Sequence, residues 1–327
     1  MPNREDSLNH AAIVYNPVKV PLERVRRAVE AQELALGWEK TRWYATSSDD
    51  SGRAAAFHAV STRPSVVIIA GGDGTVRTVT EAVVDSGIPI ALLPFGTGNL
   101  LARNLGLPLT NIGASVRTAF ALTTRRVDTA IAEFEDEDGA RSAHRFLVMA
   151  GIGLDAEMAT NTNALVKKHL GWFAYVSPIA RSIFANRLFT MHYRVDDGPA
   201  KSTHAHTVIV GNCGTLTGNM LLLPGAVVDD GQLDVIVFRP KNWFGWTKIG
   251  TRLTTQGIAN LSRFGRSLVQ FNGDIQALPY GKGAAFEARF EVPHVVQLDG
   301  DSFGHIISAR ISVRPSTLEV CVDGSKG

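Results

Sequence analysis

Residues 65–83, SVVIIAGGDGTVRTVTEAV, run five apolar side chains into Gly71-Gly72-Asp73-Gly74-Thr75 and then into a helical pattern. Glycine permits backbone conformations barred to other residues and lets a ligand approach the main chain. A glycine-rich turn between a strand and a helix also gathers N–H groups at the helix N-terminus, which suits phosphate. Asp73 is out of place in a simple phosphate cradle, because a carboxylate repels phosphates. It fits if a divalent cation stands between them, since Mg²⁺ is typically held by one or two carboxylates plus substrate phosphates. Thr75 offers its hydroxyl to a phosphate oxygen or to the helix start. The plain alternative is a tight turn with Asp73 as helix cap. A second loop, PFGTGN, repeats the arrangement after the next strand with Gly96, Thr97, Gly98 and Asn99. Two such loops on adjacent strand ends would form two sides of one phosphate pocket.

Those loops need a scaffold, and the first third of the chain supplies one. AAIVYNP reads as a buried strand. Pro21 sits where a first helical turn tolerates it, LERVRRAVEAQELAL follows at helical spacing, and Gly37 closes the helix. KTRWYAT, SVVIIA and PIALLPF are further strands, while DDSGRAAAFHAV and VRTVTEAVVDSG are helices. This alternation implies a Rossmann-like parallel sheet with helices on both faces. Ligands of such sheets bind at the carboxyl ends of the strands, so NPVKV, GGDGT and PFGTGN are expected on one edge. Past residue 125 the texture changes. RVDTAIAEFEDEDGARSAHRFLVMA reads as two strands around an acidic turn, and LFTMHYRVDDG, HTVIVGN, QLDVIVF, EARFEV and HIISARISVRP are strands between Gly, Asp and Pro turns. The expectation is an α/β domain over 1–125 and an antiparallel β-sandwich over 126–314, with 315–327 packing back on the first domain.

Bulk composition narrows the classes. A chain of 327 residues is long enough for two domains, each with its own core. A net charge of +2 provides no basic field for nucleic acid. Cys213 and Cys321 show no metal-ligand spacing, which fits a reducing cytoplasm better than a disulfide framework. MPNREDSLNH has no apolar h-region, so no signal peptide is expected. The apolar stretch LGWFAYVSPIA is too short to span a bilayer, so any meeting with lipid would be peripheral, at the inner membrane face.

VVIIAGGDGT followed by IPIALLPFGTGN resembles the catalytic domain of the diacylglycerol kinase family, which includes bacterial lipid kinases and sphingosine and ceramide kinases. YNPVKV resembles that family's first-strand motif, GNCGTLTGNMLLLPGAVVDDGQLDV its segment ending in DDG and LDV, and VVQLDGD its late acidic motif. The motifs keep the family's order over residues 11–320. The resemblance implies a lipid kinase acting on ATP with Mg²⁺, and a lipid substrate taken from a membrane surface. It places Asn16, Pro17, Val18, Lys19 and Val20 against ATP, Thr46 near the nucleotide, Gly71 to Thr75 on the phosphates and Thr97 at the pocket's edge. It also implies a structural Mg²⁺ site from Asp230 with the carbonyls of Val227 and Gln232. Asp299 looks like the general base that takes the lipid hydroxyl's proton during in-line attack on the γ-phosphate. A turn remains the plain reading of both Asp230 and Asp299.

Four departures from the family pattern stand out. Leu100 replaces an acidic residue after GTGN, and Asp128 is the candidate to complete the metal network of Asp73, a plain surface role being the alternative. Arg77-Thr78 replace the usual Asn-Glu, and Arg77 either adds charge near the phosphates or faces water. Asp301 is one methylene shorter than the usual Glu. NPVKV lacks a small Ser-Gly pair, and Lys19 either helps to hold a phosphate or is simply solvated. LVKKHLGWFAYVSPIARSIF and NWFGWTKIGTRL mix cations with aromatics, which suits an anionic lipid interface or, equally, core aromatics with solvated cations. His204 and His206 are expected at the surface. A homodimer through an exposed strand edge stays open. Two rival functions remain: an NAD kinase-like enzyme, which shares GGDGT and a two-domain plan, and a non-catalytic lipid- or nucleotide-binding protein of the same fold.

Overall fold

The computed structural model describes residues 9–47, 52–153, 188–216, 222–238 and 280–324. The chain forms two compact units, one of Met1–Val127 with Ser316–Gly327, the other of Asp128–Pro315. The two cation-and-aromatic stretches with Trp172 and Trp243 lie outside the described residues. Among the described residues, no helix is long and apolar enough to cross a membrane.

In the first unit, strands β1 (Ala11–Tyr15), β2 (Arg42–Ala45), β3 (Val66–Gly71) and β4 (Ile90–Pro94) pair in parallel in the order β2-β1-β3-β4. β3 is apolar throughout and buried at every position, as a strand covered on both faces must be. Helix α1 (Leu22–Leu36) turns Val25 and Val29 inward and ends at Gly37, whose φ of 67° is the left-handed conformation that a C-cap glycine supplies. Helices α2 (Arg53–Ser61), α3 (Asp73–Val83), α4 (Leu100–Asn104) and α5 (Ile112–Ala121) follow in chain order. The core joins Ile13, Val25, Val29, Ile68, Leu93 and Phe120 to Cys321 from the chain's last strand. Each fully buried Ile or Leu contributes about 2 kcal/mol by leaving water.

The second unit is antiparallel β. It contains β6 (Arg141–Phe146), β7 (Met149–Ile152), β8 (Phe189–Val195), β9 (Lys201–Ala205), β10 (Thr207–Gly211), β11 (Leu233–Phe238), β12 (Tyr280–Gly283) and β13 (Ala285–Leu298), with most of β5 (Thr124–Glu135) and β14 (Asp301–Cys321). β13 is the strand that shapes the sandwich. Its first half, Phe286–Phe290, pairs with β8, and its last residues, Val296–Leu298, pair with β7. Register shifts at Arg289/His294 and Val295/Gln297 bend it between those partners. A bulged strand that switches layers is a standard way to close a β-sandwich corner. The enclosed core draws on Phe134, Phe146, Ile152, Met191, Val235 and Phe286.

Candidate active site

The carboxyl ends of the four parallel strands lie on one edge of the first unit, because the register aligns Tyr15 with Ala45 and Ala70, and Gly71 with Pro94. Main-chain bonds continue the alignment past the strands. The Asn16 amide donates to Ala70 O at 3.0 Å, Thr46 to Tyr15 O at 2.9 Å and Phe95 to Gly71 O at 2.9 Å. The structure therefore brings the 16–20 loop, Thr46, the 71–75 turn and the 96–99 turn together.

The first loop is organised by Asn16. Its Oδ1 accepts the amides of Val18 at 3.0 Å and Lys19 at 3.2 Å. Val20 is buried, whereas Pro17, Val18 and Lys19 are exposed. The exposed Lys19 places its Nζ 3.8 Å from where a Cβ on Gly72 would be, beside the first glycine turn. Thr46 is buried, and its methyl approaches the backbone of Gly52 so closely that a Cβ there would sit at 2.6 Å.

The two glycine turns interlock. A Cβ on Gly96 would fall 2.6 Å from the Cα of Gly72, and one on Gly98 would fall 2.4 Å from Asp73 Oδ2. Close approach of the Gly72 backbone therefore dictates Gly96, and close approach of the Asp73 carboxylate dictates Gly98. Gly71 is required by Thr75, whose side chain packs against its Cα face at 2.8 Å from the Cβ position. Asp73 is the pin. Its Oδ2 accepts the Asn99 amide at 2.9 Å and its Oδ1 the Leu100 amide at 2.6 Å. Asn99, at a left-handed φ of 48°, closes the second turn on itself: Oδ1 accepts from Gly96 N at 2.9 Å and Nδ2 donates to Gly96 O at 2.8 Å. Arg103, which the sequence did not single out, donates from Nε to Gly98 O at 2.7 Å. Burial pushes the Asp73 carboxyl above its ordinary pKa, while the Leu100 and Asn99 amides pull it back. Each carboxylate oxygen keeps a second lone pair, so this arrangement is compatible with a cation that arrives with phosphates. Arg77 neither faces water nor is left as a loose charge: it is buried and pairs with Glu81 at 3.4 Å, which also holds Arg53 at 2.8 Å.

The remaining expected residues belong to the second unit. Asp299 lies in the turn between β13 and β14 at a φ of 49° and is 5% exposed. Its Oδ2 accepts the Leu147 amide at 2.9 Å, and its Oδ1 accepts Val148 at 2.9 Å and Met149 at 3.0 Å. These bonds occupy three of about four lone-pair positions and fix the carboxylate against the segment entering β7. Asp128 is buried and ties down the DDG turn: its Oδ2 accepts from Gly231 N at 2.7 Å and its own amide donates to Val228 O at 2.7 Å. Asp230 Oδ1 accepts from Gln232 N at 3.0 Å, and Oδ2 faces Lys282 Nζ at 3.2 Å. The set expected around a structural divalent ion, Asp230 with the carbonyls of Val227 and Gln232, does not fit such an ion as arranged, because the Lys282 ammonium already stands against the carboxylate, and Asp128, the candidate for the network of Asp73, holds the Gly231 amide. Among the described residues no group of three or more His, Cys, Asp or Glu could hold a metal. His206 is buried, with its amide on Phe238 O, contrary to the surface expected for it. One cavity of this unit, of about 710 Å³, is lined by charged residues such as Glu133, Arg194 and Arg310 together with Phe134, Tyr193 and Ala288.

Residues 10–132 match the family model described as the diacylglycerol kinase catalytic domain, and residues 147–249 match that of a YegS C-terminal NAD kinase β-sandwich-like domain. A Pseudomonas fluorescens protein named "Probable lipid kinase YegS-like" is 34% identical over 221 residues, which cover 66% of this chain and 68% of that protein. A Pseudomonas aeruginosa protein of the same name is 30% identical, over 71% of this chain and 72% of its own. The chain spans 54% of the length of an uncharacterized Synechocystis relative that is 26% identical. A crystal structure from Bacillus anthracis described as a diacylglycerol kinase superposes with a TM-score of 0.67 at 19% identity, covering 98% of this chain and 99% of that one. At that identity the likeness is one of fold: a parallel α/β sheet with helices, followed by a β-sandwich.

Proposed function

The chain belongs to the diacylglycerol kinase family of lipid kinases, which are phosphotransferases, and on that premise we propose that it transfers the γ-phosphate of ATP to a hydroxyl of a diacylglycerol-like or long-chain-base lipid. The observation that carries the reading is the interlocked pair of turns at residues 71–75 and 96–99, pinned by Asp73 at the carboxyl edge of the parallel sheet. Backbone amides at such an edge, together with the start of α3, suit a polyphosphate. Lys19, beside Gly72, adds a positive charge for the phosphates. Asn16 shapes the loop that lies against the nucleotide, and Thr46 bounds it.

In phosphoryl transfer, positioning and charge neutralisation do most of the work. Mg²⁺ bound with ATP would neutralise phosphate charge, and Asp73 is the carboxylate of the glycine turns that would help to hold it. In this reading Asp299 accepts the proton of the attacking lipid hydroxyl. The amides of Leu147, Val148 and Met149 support that role by holding the carboxylate in one orientation. The protein would work from the cytoplasm at the inner face of a membrane, where its substrate is.

The test supplies purified protein with labelled ATP and Mg²⁺ and offers a panel of diacylglycerol, long-chain base and ceramide in mixed micelles, beside NAD. Label in a lipid is the expected result. Label only in NADP would replace this reading with an NAD kinase, in line with the likeness of the second family model. No turnover with any acceptor, alongside retained nucleotide binding, would favour a binding protein.

A further inference from the structure

The DDG turn is where the family resemblance puts a structural divalent ion, and here a side chain of the chain itself reaches the one carboxylate of that expected set, Asp230. Lys282 lies on β12, directly opposite Asp234 of β11 in the antiparallel register. Its Nζ donates to the carbonyl of Gly225 at 2.5 Å and stands 3.2 Å from Asp230 Oδ2 and 3.5 Å from Asp234 Oδ2. One carbonyl and two carboxylates around a single positive centre are hard oxygen donors of the type that Mg²⁺ or Ca²⁺ takes. Asp234 is fully buried, and its Oδ2 has no hydrogen bond other than this ion pair to answer its charge. The phenol of Tyr280 donates to the other oxygen of Asp234 and also accepts the Gly225 amide at 3.2 Å.

The packing around the ammonium is close. A Cβ on Gly225 would fall 2.8 Å from the Tyr280 hydroxyl, 3.1 Å from Lys282 Cε and 3.2 Å from Asp234 Oδ1. Glycine at 225 therefore lets the carbonyl, the ammonium and the buried carboxylate meet. An ordinary exposed cross-strand lysine would need no such accommodation, and would not leave a fully buried carboxylate dependent on it.

We infer that Lys282 is the resident cation of the DDG turn, standing in for a structural divalent ion, so that this chain holds its 225–234 segment together without metal. The ammonium ties the turn, which Asp128 grips from the other side through Gly231, to β11 and β12. The inference concerns stability and metal content, and it does not depend on which acceptor the enzyme phosphorylates.

Mn²⁺ is the probe, measured by electron paramagnetic resonance on the full chain without nucleotide, with thermal unfolding in parallel. Wild type and Asp230→Asn should take up equal amounts of Mn²⁺, and chelator should leave the wild-type melting temperature unchanged. Lys282→Ala should open one additional Mn²⁺ site that the double variant Lys282→Ala/Asp230→Asn lacks, and millimolar Mn²⁺ should raise its melting temperature by on the order of 5 °C. If Lys282→Ala folds only when Mn²⁺ is added, that also supports the inference. If it fails to fold at all, the wild-type and Asp230→Asn comparison decides. Mn²⁺ uptake by wild type that Asp230→Asn abolishes would overturn the inference, as would a folded Lys282→Ala that binds no more Mn²⁺ than wild type.

Discussion

Replacing Asp73 by Asn separates two roles that a sequence cannot tell apart. If Asp73 serves only as a partner for cations, Asp73→Asn leaves the unliganded protein as stable as before. The geometry predicts otherwise. Oδ1 and Oδ2 each accept one amide, from Leu100 at 2.6 Å and Asn99 at 2.9 Å. An asparagine must put an NH₂ against one of those N–H groups, so one donor loses its acceptor and meets another donor. Leaving a buried donor unsatisfied costs about 1–3 kcal/mol. Losing a negative charge in the first turn of α3 adds about 0.3–1 kcal/mol. The expected loss is roughly 1–4 kcal/mol, or a melting temperature lower by about 3–15 °C for a domain of this size. The assay is urea and thermal unfolding in chelator, without nucleotide. A midpoint within about 0.5 kcal/mol of wild type would refute the pin.

Gly98→Ala would place a Cβ 2.4 Å from Asp73 Oδ2 and force the turns apart, so affinity for MgATP in calorimetry should fall more than about tenfold; unchanged affinity would remove the second turn from the site. Lys19→Met should raise the KM for ATP by about 5–20-fold, the weight of one charged contact, with unfolding unaltered; an unchanged KM would return Lys19 to solvent. Asp299→Asn should abolish turnover while nucleotide still binds, and it should also destabilise by about 1–3 kcal/mol because its NH₂ must face one of the amides of residues 147–149; full turnover would exclude the base. Burial pushes Asp234 up to about 6 against the pull of Lys282. Because the unfolded carboxyl titrates near its ordinary 3.8, the folded form holds the extra proton between those values, and stability falls as pH rises through that window by at most roughly 3 kcal/mol. Urea midpoints across pH 4 to 7 should show this component in wild type and lack it in Asp234→Asn; identical pH profiles would contradict it.

The first unit was legible because its elements declare themselves locally. α1 runs over the residues that the apolar spacing marks and stops at Gly37, and β3 is the apolar run itself. Parallel register then dictates that the loops after β1, β3 and β4 share an edge. What the sequence hid is non-local. Asp73 between glycines suggests a cation, and the second loop suggests a shared pocket, but nothing in the pattern shows that Asp73 accepts amides 26 and 27 positions away. β13 was legible as a strand in the fragment EARFEV but not along its full length, because Pro293 and the register shifts break its alternation. β9 (KSTHA) and β12 (YGKG) are short and carry few apolar side chains, so neither stands out. Lys282 meets Asp230 across 52 positions, and Asp128 meets Gly231 across 103. Each of these long-range contacts uses an ordinary charged residue whose type gives no hint of its partner.

Amide hydrogen exchange with and without the Mg²⁺ complex of a non-hydrolysable ATP analogue tests most directly whether the two turns hold the triphosphate. Protection is predicted to appear together in peptides that cover residues 71–76 and 96–100, with a smaller effect over 16–20. Protection confined to other segments, with both glycine turns exchanging as fast as in the free protein, would contradict the account.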